Sequence, residues 1–440
     1  MIPIQEMKQK VCNALDERAE ELKSIGNHIF INPELGFKEF NTAEYICERI
    51  EQMGLSYRKG LAITGIKAYI DTGRPGPTVA VIGELDSVIC PEHPSANKET
   101  GAAHTCGHHA QLVNMLGVGL GLLDSGILDE LCGRIVLFST PAEEPFEAEY
   151  RAKLKEEGKI KFTCGGKQEL IRIGEFDDID LALFVHIGSQ NVIRVTSNAF
   201  ISKRVIFSGK EAHAGNAPHL GINALNAATI AWTAINSLRE TFVEEDCVRV
   251  HGIMPQGGKI AISVPAEVSM ELIVRAKTME TTIAINDKVN RALKAGAMAV
   301  GAKVEIIDTV GFLPMDPNED MAKLFESNFK TLLPNECFVK QIHFKGGFDM
   351  GDVGHIIPQV HPMLGGISGN LHQRDFTIMD EQMVYVNPAK IIAMTIIDLL
   401  ADNASRGGEI IKRFQPKLSK NEYVNLIEGL SKSSEFNYID

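Results

Sequence analysis

The sequence predicts an α/β fold in which a larger domain, with a mostly parallel sheet flanked by helices, contains an inserted smaller α+β domain. Strand-like apolar runs alternate with helix-like runs up to about residue 190, which is typical of strands joined by crossover helices. From residue 199 to 310 the predicted order changes to strand, helix, two strands, helix and strand, the ferredoxin-like split β-α-β-β-α-β unit. A chain of 440 residues also exceeds what one core normally holds.

The first part of the larger domain is predicted from apolar spacing and from turn residues. Apolar side chains recur at helical spacing near the N-terminus, and apolar runs bounded by Gly and Pro mark the strands. The predicted elements are helices at 4–25 and 39–53, strands at Gly65–Asp71 and Thr78–Leu85, a helix from Ala110 to about Leu123, and strands at Arg134–Ser139 and Leu181–Val185. Several of these strands end at polar groups, and open α/β sheets bind ligands at the carboxyl ends of their strands.

The insertion and the returning segment complete the predicted fold. Within the insertion we predict strands at Phe200–Ser208, Val248–Met254, Glu267–Lys277 and Lys303–Asp308 and helices at Ile222–Leu238 and Thr281–Val300. After it we predict helices around 317–332 and 380–402, a strand around Gln359–Leu364, and a tail with a helix at 418–431 that is then loose. The predicted boundaries are 1–190 and 311–440 for the larger domain and 191–310 for the insertion.

Composition excludes several classes of function. The formal net charge of −13 argues against a nucleic-acid-binding protein, which would need a basic face. No apolar run approaches the roughly 18 residues of a membrane span, and the N-terminus lacks a signal-peptide pattern. The eight cysteines include no Cys-x-x-Cys pair, which favours reduced thiols over a disulfide framework. We therefore expect a cytoplasmic protein without nucleic-acid or membrane partners.

One stretch concentrates potential metal ligands. Glu84 and Asp86 end an apolar run, and a following loop carries Cys106 and three histidines, one of which is His108. Thiolate and imidazole both suit zinc and related transition metals. Gly107 can bend the backbone so that the thiol and the imidazole on either side of it meet at one point. Taken alone, the loop is also compatible with a polar segment that carries a free cysteine.

Further candidate groups follow two other strands and a Gly-rich loop. Glu143 and Glu144 follow one buried strand, His186 follows another, and His372 ends the loop. Two neighbouring carboxylates allow one to bind a metal while the other acts as a general base. Individually, the acidic pair is compatible with a solvated turn, and each histidine with a core residue. Together with the first stretch, these groups suffice for two metal ions and a nucleophilic water.

Several short motifs occur in order along the chain: Asn32-Pro-Glu-Leu-Gly-Phe-Lys-Glu39 with Thr42-Ala43, Glu84-Leu-Asp86, His104-Thr-Cys-Gly-His108, Pro141-Ala-Glu-Glu144, Val185-His186, Ala212-His-Ala-Gly215 with Pro218-His-Leu-Gly-Ile-Asn-Ala224, Phe348-Asp-Met-Gly-Asp-Val353 and His372. With them the sequence resembles the dinuclear metallo-amidohydrolases and metallopeptidases of the aminoacylase, carboxypeptidase G, auxin-conjugate hydrolase and aminobenzoyl-glutamate hydrolase family, in the Cys-Gly-His subgroup. The resemblance implies a catalytic domain, an inserted dimerisation or lid domain, and hence a homodimer.

The resemblance also implies two divalent metal ions per subunit, Mn²⁺ or Zn²⁺, and roles for individual residues. The implied metal ligands are Cys106 as a bridging thiolate, His108, Glu144, His186 and His372. Glu143 would be the general base, and Asp86 would orient a ligand. His213 would donate to the oxyanion in the partner subunit's site, and Arg275 and Asn216 would bind the substrate.

Three positions depart from the family pattern. His109 stands where Asp or Asn is usual, which changes the surroundings of the metals and makes His109 itself a candidate ligand. Ile262 replaces the asparagine of an Asn-x-x-Pro motif, so that one substrate contact is missing or replaced. Glu84 stands where Asp is common.

These observations predict a metal-dependent amidohydrolase that uses a metal-activated water. The substrate would be an N-acyl amino acid or a small dipeptide-like conjugate, of the aminobenzoyl-glutamate or aminoacylase type. Two alternatives keep the same fold: a β-alanyl-dipeptide hydrolase and a catalytically degenerate binding protein. A cysteine hydrolase that pairs Cys106 with His104 or His108 is less favoured, because the two glutamates and the distant histidines would then have no role.

Overall fold

The computed structural model of the chain describes residues 2–144 and 147–439, and the chain forms two compact units. The first unit comprises Met1–Thr196, Asp316–His343 and Asp349–Lys420, and the second comprises Ser197–Met315, Phe344–Phe348 and Asn421–Asp440. The predicted domain boundaries differ from this division chiefly at the C-terminus, because they assign the final segment to the larger domain. In the structure that segment packs with the second unit.

The elements in the first part of the chain are α1 (Ile4–Glu17), α2 (Ala19–Phe30), α3 (Phe40–Gln52), β1 (Tyr57–Leu61), β2 (Gly65–Asp71), β3 (Thr78–Glu84), β4 (Val88–Ile89), β5 (Ala102–Ala103), α4 (His108–Asp124), β6 (Arg134–Thr140), α5 (Ala148–Glu156), α6 (Gly166–Ile173), β7 (Leu181–Leu183), β8 (His186–Ile187) and β9 (Val192–Ser197). The insertion contains β10 (Ala199–Ser208), α7 (Ala224–Leu238), β11 (Arg249–Gln256), β12 (Glu267–Ala276), α8 (Met279–Ala299) and β13 (Lys303–Val310). The last part contains α9 (Glu319–Leu332), β14 (Val339–Phe344), α10 (Met350–Gly354), β15 (Gln359–Val360), β16 (Met363–Leu364), β17 (Ile367–Ser368), β18 (Thr377–Ile378), α11 (Asn387–Arg413), α12 (Lys420–Leu430) and β19 (Ser433–Asn437).

The main sheet of the first unit has the strand order β1-β2-β6-β3-β7-β15. β3 pairs in parallel with β6 and β7, and β7 pairs in parallel with β15, whereas β2 pairs antiparallel with β1 and β6. In the β3–β6 register Glu84 lies opposite Thr140. The chain therefore leaves both strands at the same edge of the sheet, which is where the candidate site residues follow.

Helix α4 lies at the centre of the first unit. Every residue from His108 to Leu122 is buried, so the helix has no polar face turned to solvent. The segment Gln382–Arg413, which contains α11, is long and apolar enough to cross a membrane, and 89% of its apolar window is buried inside the protein. That degree of burial is typical of a core helix, and it qualifies the expectation that no segment approaches a membrane span.

The second unit contains a five-stranded antiparallel sheet in the order β11-β12-β10-β13-β19. Burial alternates along β10 and β12, and the buried side chains form one apolar core with those of α7 and α8. The element order of the insertion confirms the predicted split β-α-β-β-α-β unit, and the fold as a whole confirms the predicted α/β class.

Two helix and strand predictions need correction. The predicted helix at 4–25 is two helices, which separate at Arg18, where the backbone has φ −91° and ψ 0°. The apolar spacing continues across this break, so the pattern alone does not reveal it. The predicted strand Gln359–Leu364 is divided into β15 and β16 because Pro362, which lacks a backbone N–H, lies between them.

The end of the chain is also more ordered than predicted. The segment after α12 forms β19, which pairs antiparallel with β13 and places Phe436 against the apolar core of the second unit. A single five-residue strand that alternates one aromatic with small and charged residues is too weak a pattern to be recognised in isolation.

A buried ion pair in the second unit yields a stability prediction. The ammonium of Lys203 lies in the core, pairs with Asp308 and donates to Asn286 Oδ1 at 2.7 Å. Lys203→Met leaves the Asp308 carboxylate buried without its cation, so we expect a loss of about 3–5 kcal/mol in the free energy of unfolding of this unit. Urea denaturation measures it. The matched control is Lys323→Met in α9, whose partner Glu319 is exposed and whose loss should cost under about 1 kcal/mol. Equal effects of the two variants would contradict the prediction.

Candidate metal centre

A strained turn after β6 brings two acidic side chains into the site. Ala142 has a left-handed backbone with φ 45°, a conformation that is costly for a residue with a Cβ. The buried carboxylate of Glu39 accepts a hydrogen bond from the Ala142 backbone N–H at 2.9 Å and stabilises the turn. As a result Glu143 and Glu144 are both buried, with only 7% and 5% of their surface exposed.

Gly107 provides the predicted bend between Cys106 and His108. It directly precedes α4 and has φ 92°, which glycine adopts without strain. A Cβ at this position would lie 2.3 Å from Cγ1 of Ile187. The backbone therefore passes too close to its neighbour for any other residue, and this close passage sets the direction of the two flanking side chains.

Two groups of potential ligands share the thiol of Cys106. Within each group the ligand atoms lie within 4.8 Å of one another: the first contains Cys106, His108 and His186, and the second contains Cys106, Glu144 and His372. Cys106 Sγ lies 3.5 Å from His186 Nε2, and Glu144 Oε1 lies 2.9 Å from His372 Nε2. The structure thus brings the five candidate ligands together around one thiol, which belongs to both groups.

Hydrogen bonds on Nδ1 orient the two buried imidazoles. His108 Nδ1 lies 3.1 Å from the Asp86 carboxylate and 3.0 Å from the Asp86 backbone carbonyl. His186 Nδ1 donates to the carbonyl of Ile187 at 2.7 Å, and the other carboxylate oxygen of Asp86 accepts from the Glu144 backbone N–H at 2.8 Å. Each ring therefore presents Nε2 to the site, which is how neighbouring oxygens orient metal-binding histidines.

The electrostatics of the site call for cations. Burial, followed by the carboxylates of Glu144 and Glu143, raises the pKa of Cys106 well above its ordinary value. Burial and the neighbouring carboxylates likewise raise the pKa of Glu143. Burial lowers the pKa of His186 to about 4, so its imidazole is neutral, the form that binds metals. A buried thiolate beside two carboxylates is stabilised only by adjacent positive charge.

The residues present fit two divalent metal ions. His108 Nε2 and Glu144 Oε1 are buried atoms without a well-directed hydrogen bond among the described residues, and both belong to the groups that share Cys106. One thiol, three imidazoles and a carboxylate are the ligand types that zinc and related transition metals prefer. The predicted cofactors therefore agree with the chemistry of the donor set.

His109 does not take part in these groups. It is buried, and its ring packs against those of His104, Phe30 and Tyr385, with centroids 5.3, 5.0 and 5.8 Å away. Among the described residues, no group of potential metal ligands contains His109. Burial lowers its pKa to about 3, which keeps the ring neutral in an aromatic cluster. His109 therefore does not belong to the candidate ligands that the structure brings together.

His213, Asn216 and Arg275 belong to the second unit. The backbone N–H groups of Gly215 and Asn216 donate to Nδ1 of His213 at 3.2 and 3.0 Å, so Nδ1 is engaged as an acceptor and Nε2 is the nitrogen of this exposed ring that is left to donate. Arg275 lies over the ring of Phe200, 4.6 Å from the ring centroid. Burial lowers the pKa of Arg275, and no carboxylate of a described residue offsets this effect.

Three residues near the centre were not predicted to take part. Glu39 supports the turn at Ala142, and Lys167 and Asp349 form a buried ion pair that also includes Glu84. No spacing rule links Lys167 to the ligand loop, because only the fold brings α6 to this place. The one feature of the sequence that indicates a buried cation nearby is Glu84, an acidic residue at the end of an apolar run.

Comparisons with known proteins agree with this architecture. Residues 196–300 match the model of a peptidase dimerisation domain. The chain is 25% identical to the Xaa-Arg dipeptidase of Mus musculus, with 95% of this chain and 94% of that protein covered, and 27% identical to IAA-amino acid hydrolase ILR1-like 2 of Arabidopsis thaliana, with 87% and 86% covered. A solved dinuclear metal-binding peptidase of the M20 family from Bacillus subtilis has a TM-score of 0.67, 19% identity and coverage of 88% and 99%. These similarities confirm the predicted resemblance and fold.

The close passage at Gly107 can be tested with a pair of glycines. Gly107→Ala combines left-handed strain with a clash against Ile187, so we expect bound metal to fall to well below one ion per subunit in elemental analysis. Gly54→Ala is the control, because Gly54 has φ 74° but no heavy atom within 4 Å of the added Cβ. It should cost about 1–2 kcal/mol of stability and keep its metal. Full metal content in Gly107→Ala would refute the role assigned to this bend.

Proposed function

We propose that the chain, which is similar to peptidases and amidohydrolases of the M20 family, cleaves the amide bond of an N-acyl amino acid or a small dipeptide-like conjugate. The reaction uses a metal-activated water and releases a carboxylate and an amino acid. Similar proteins named for Xaa-Arg dipeptides and for amino acid conjugates of IAA support this substrate class. The proposed cofactors are two Mn²⁺ or Zn²⁺ ions per subunit, and the proposed location is the cytoplasm.

The observation that carries this proposal is the sharing of one thiol by two ligand groups. A mononuclear site needs only one such group, whereas Cys106 belongs both to the group with His108 and His186 and to the group with Glu144 and His372. These residues would hold two ions, which when bound would polarise an amide carbonyl and make water a better nucleophile. The remaining chemistry then falls to the side chains that surround them.

Glu143 is the proposed general base. Its carboxylate is buried beside Glu144 and lies 3.9 Å from His108 Nε2, yet it belongs to neither group that shares Cys106. It is therefore placed to take a proton from the attacking water and to pass it to the leaving amine. Asp86 fixes the His108 ring and the Glu144 backbone at the same time, so its proposed role is to position both ligands.

The second unit is proposed to form the homodimer and to supply the remaining contacts. β11 is an edge strand of its sheet and exposes Ile253, which is 61% accessible. The segment that pairs with the His213 loop exposes Ile260 and Ile262, and clustered exposed apolar side chains are typical of interaction surfaces. Through this interface His213 would donate to the oxyanion in the partner subunit's site, and Arg275 and Asn216 would bind the substrate.

The proposed chemistry predicts a specific behaviour of Glu143→Gln. We expect kcat to fall by about 10²–10⁴-fold, because proton transfer is lost, while elemental analysis still finds two ions per subunit. The assay is hydrolysis of N-acyl amino acids, β-alanyl dipeptides and Xaa-Arg dipeptides. Glu156→Gln, an exposed residue of α5, is the control and should retain full activity.

Metal removal belongs to the same experiment. A chelator should abolish hydrolysis, and added Mn²⁺ or Zn²⁺ should restore it, whereas a cysteine hydrolase would be insensitive to both treatments. Unchanged turnover in Glu143→Gln would reject the assigned base. Two bound ions without cleavage of any substrate would favour a degenerate binding protein.

The role of His213 across the dimer can be tested by complementation. A His213→Ala subunit and a Glu143→Gln subunit are each expected to be inactive alone. After subunit exchange, only the mixed dimer contains one site with both an intact base and an intact donor from its partner. We therefore expect the mixture to recover part of the wild-type activity, measured after dimer exchange has been verified by differently tagged subunits. No recovery would mean that His213 does not act in the partner's site.

A further inference from the structure

A fully buried lysine lies beside the candidate metal centre. The side chain of Lys167, at the start of α6, is 0% exposed. Its ammonium donates to Glu84 Oε1 at 2.5 Å and to Asp349 Oδ1 at 2.7 Å, and both carboxylates are also buried. Isolated buried charges are costly, so these three side chains stabilise one another. The contact with Lys167 fixes the position of one carboxylate oxygen of Glu84. The direction of the second oxygen is fixed with it.

The second oxygen of Glu84 points at a candidate metal ligand. Glu84 Oε2 lies 3.1 Å from His108 Nε2, the ring atom that the Asp86 hydrogen bond leaves facing the site. Two ligands that bind one ion at about 2.0–2.2 Å and at roughly tetrahedral or octahedral angles are separated by about 3.0–3.5 Å. The observed separation therefore suits two donors to the same ion.

Glu84, His108 and Glu143 also form a third group of side chains whose ligand atoms lie within 4.8 Å of one another. This group shares His108 with the group around Cys106 and His186. Both groups therefore contain candidate ligands for one ion held by His108. Glu143 is the more distant member, with its carboxylate 3.9 Å from His108 Nε2. Glu84 is thus the carboxylate of this group that lies nearer to His108 Nε2.

We propose that Glu84 is a further ligand of the ion held by His108, and that Lys167 is a positioning residue that clamps the Glu84 carboxylate through its outer oxygen. Asp349 in turn holds the lysine ammonium in place. The clamp has two consequences: it prevents Glu84 from rotating away from the ion, and it adds a fixed positive charge that limits the negative charge of the site. This inference rests on the proposed function, since it concerns the same metal centre.

The test measures metal binding rather than turnover. Wild-type protein, Glu84→Gln and the double variant Lys167→Met/Asp349→Asn are stripped, reconstituted with Zn²⁺ or Co²⁺, and titrated against a chromophoric chelator. Gln retains an oxygen that can accept from Lys167. The double variant removes one charge of each sign, so the net charge of the clamp is unchanged while Glu84 loses its hydrogen bond from Lys167. Asp398→Asn, which disrupts the buried pair with Lys8, controls for a general loss of stability.

We expect Glu84→Gln to weaken one of the two ions by more than about tenfold and to change the visible spectrum of the Co²⁺ form, while the other ion is retained. The double variant should weaken the same ion by about tenfold, the size of effect that orienting residues usually have on metal affinity. Asp398→Asn should bind both ions as the wild type does, whatever its thermal stability.

The outcomes separate this inference from the proposed function. Wild-type affinity for both ions in Glu84→Gln would overturn the assignment of Glu84 as a ligand, while two ions in the wild type and an inactive Glu143→Gln would still support the hydrolase. Wild-type affinity in the double variant would overturn the positioning role of Lys167. Absence of bound ions in reconstituted wild-type protein would overturn the proposed function and this inference together.

Discussion

Negative charge buried at the edge of the main sheet is the constraint on which the first unit depends. Glu84, Asp86, Glu143 and Glu144 are at most 7% exposed, and the thiol of Cys106 lies among them. Such groups are tolerated in a protein interior only when they are paired or hydrogen-bonded. Lys167, the imidazole of His108 and backbone N–H groups compensate part of this charge, and divalent ions would compensate the remainder. The surplus of buried negative charge destabilises the fold, and the same surplus favours the binding of metal cations.

The backbone around the centre bends where ordinary helices and strands cannot supply the required directions. Ala142 and His372 have φ values of 45° and 61°, and Gly107 has φ 92°. Two of these bends are held by a hydrogen bond: Glu39 accepts from the Ala142 backbone N–H, and the His372 backbone N–H donates to the carbonyl of Thr105 at 2.9 Å. Strain of this kind persists only when the surroundings determine it, and it orients ligands before any ion binds. The rigid edge of a parallel sheet provides such surroundings.

The sequence predicts the fold class and the candidate ligands, but it does not predict residues whose burial depends on distant segments of the chain. Strands such as Gly65–Asp71 were predictable because a buried strand imposes its own apolar pattern. The candidate ligands could be listed because each stands at a strand end or in a loop, and their combined chemistry suffices for two metal ions. The resemblance then implied a role for each of them. Lys167 could not be found, because a lysine after two glycines is most often solvated, and its burial depends on Asp349, far away in the chain. The fate of His109 was equally hidden, since its partners come from α2 and from the turn before α11.

Distant segments of the chain also determine which edges of the sheet in the second unit are exposed. A closed dimer needs one self-complementary edge in each subunit, whereas two open edges would allow association to continue indefinitely. The C-terminal tail covers β13 with β19, a short strand whose exposed positions include Ser433, Glu435 and Asn437. Short and charged edges discourage further pairing. β11 is then the edge that retains an exposed apolar side chain, Ile253, so of the two edges of this sheet it is the one through which the proposed homodimer would form.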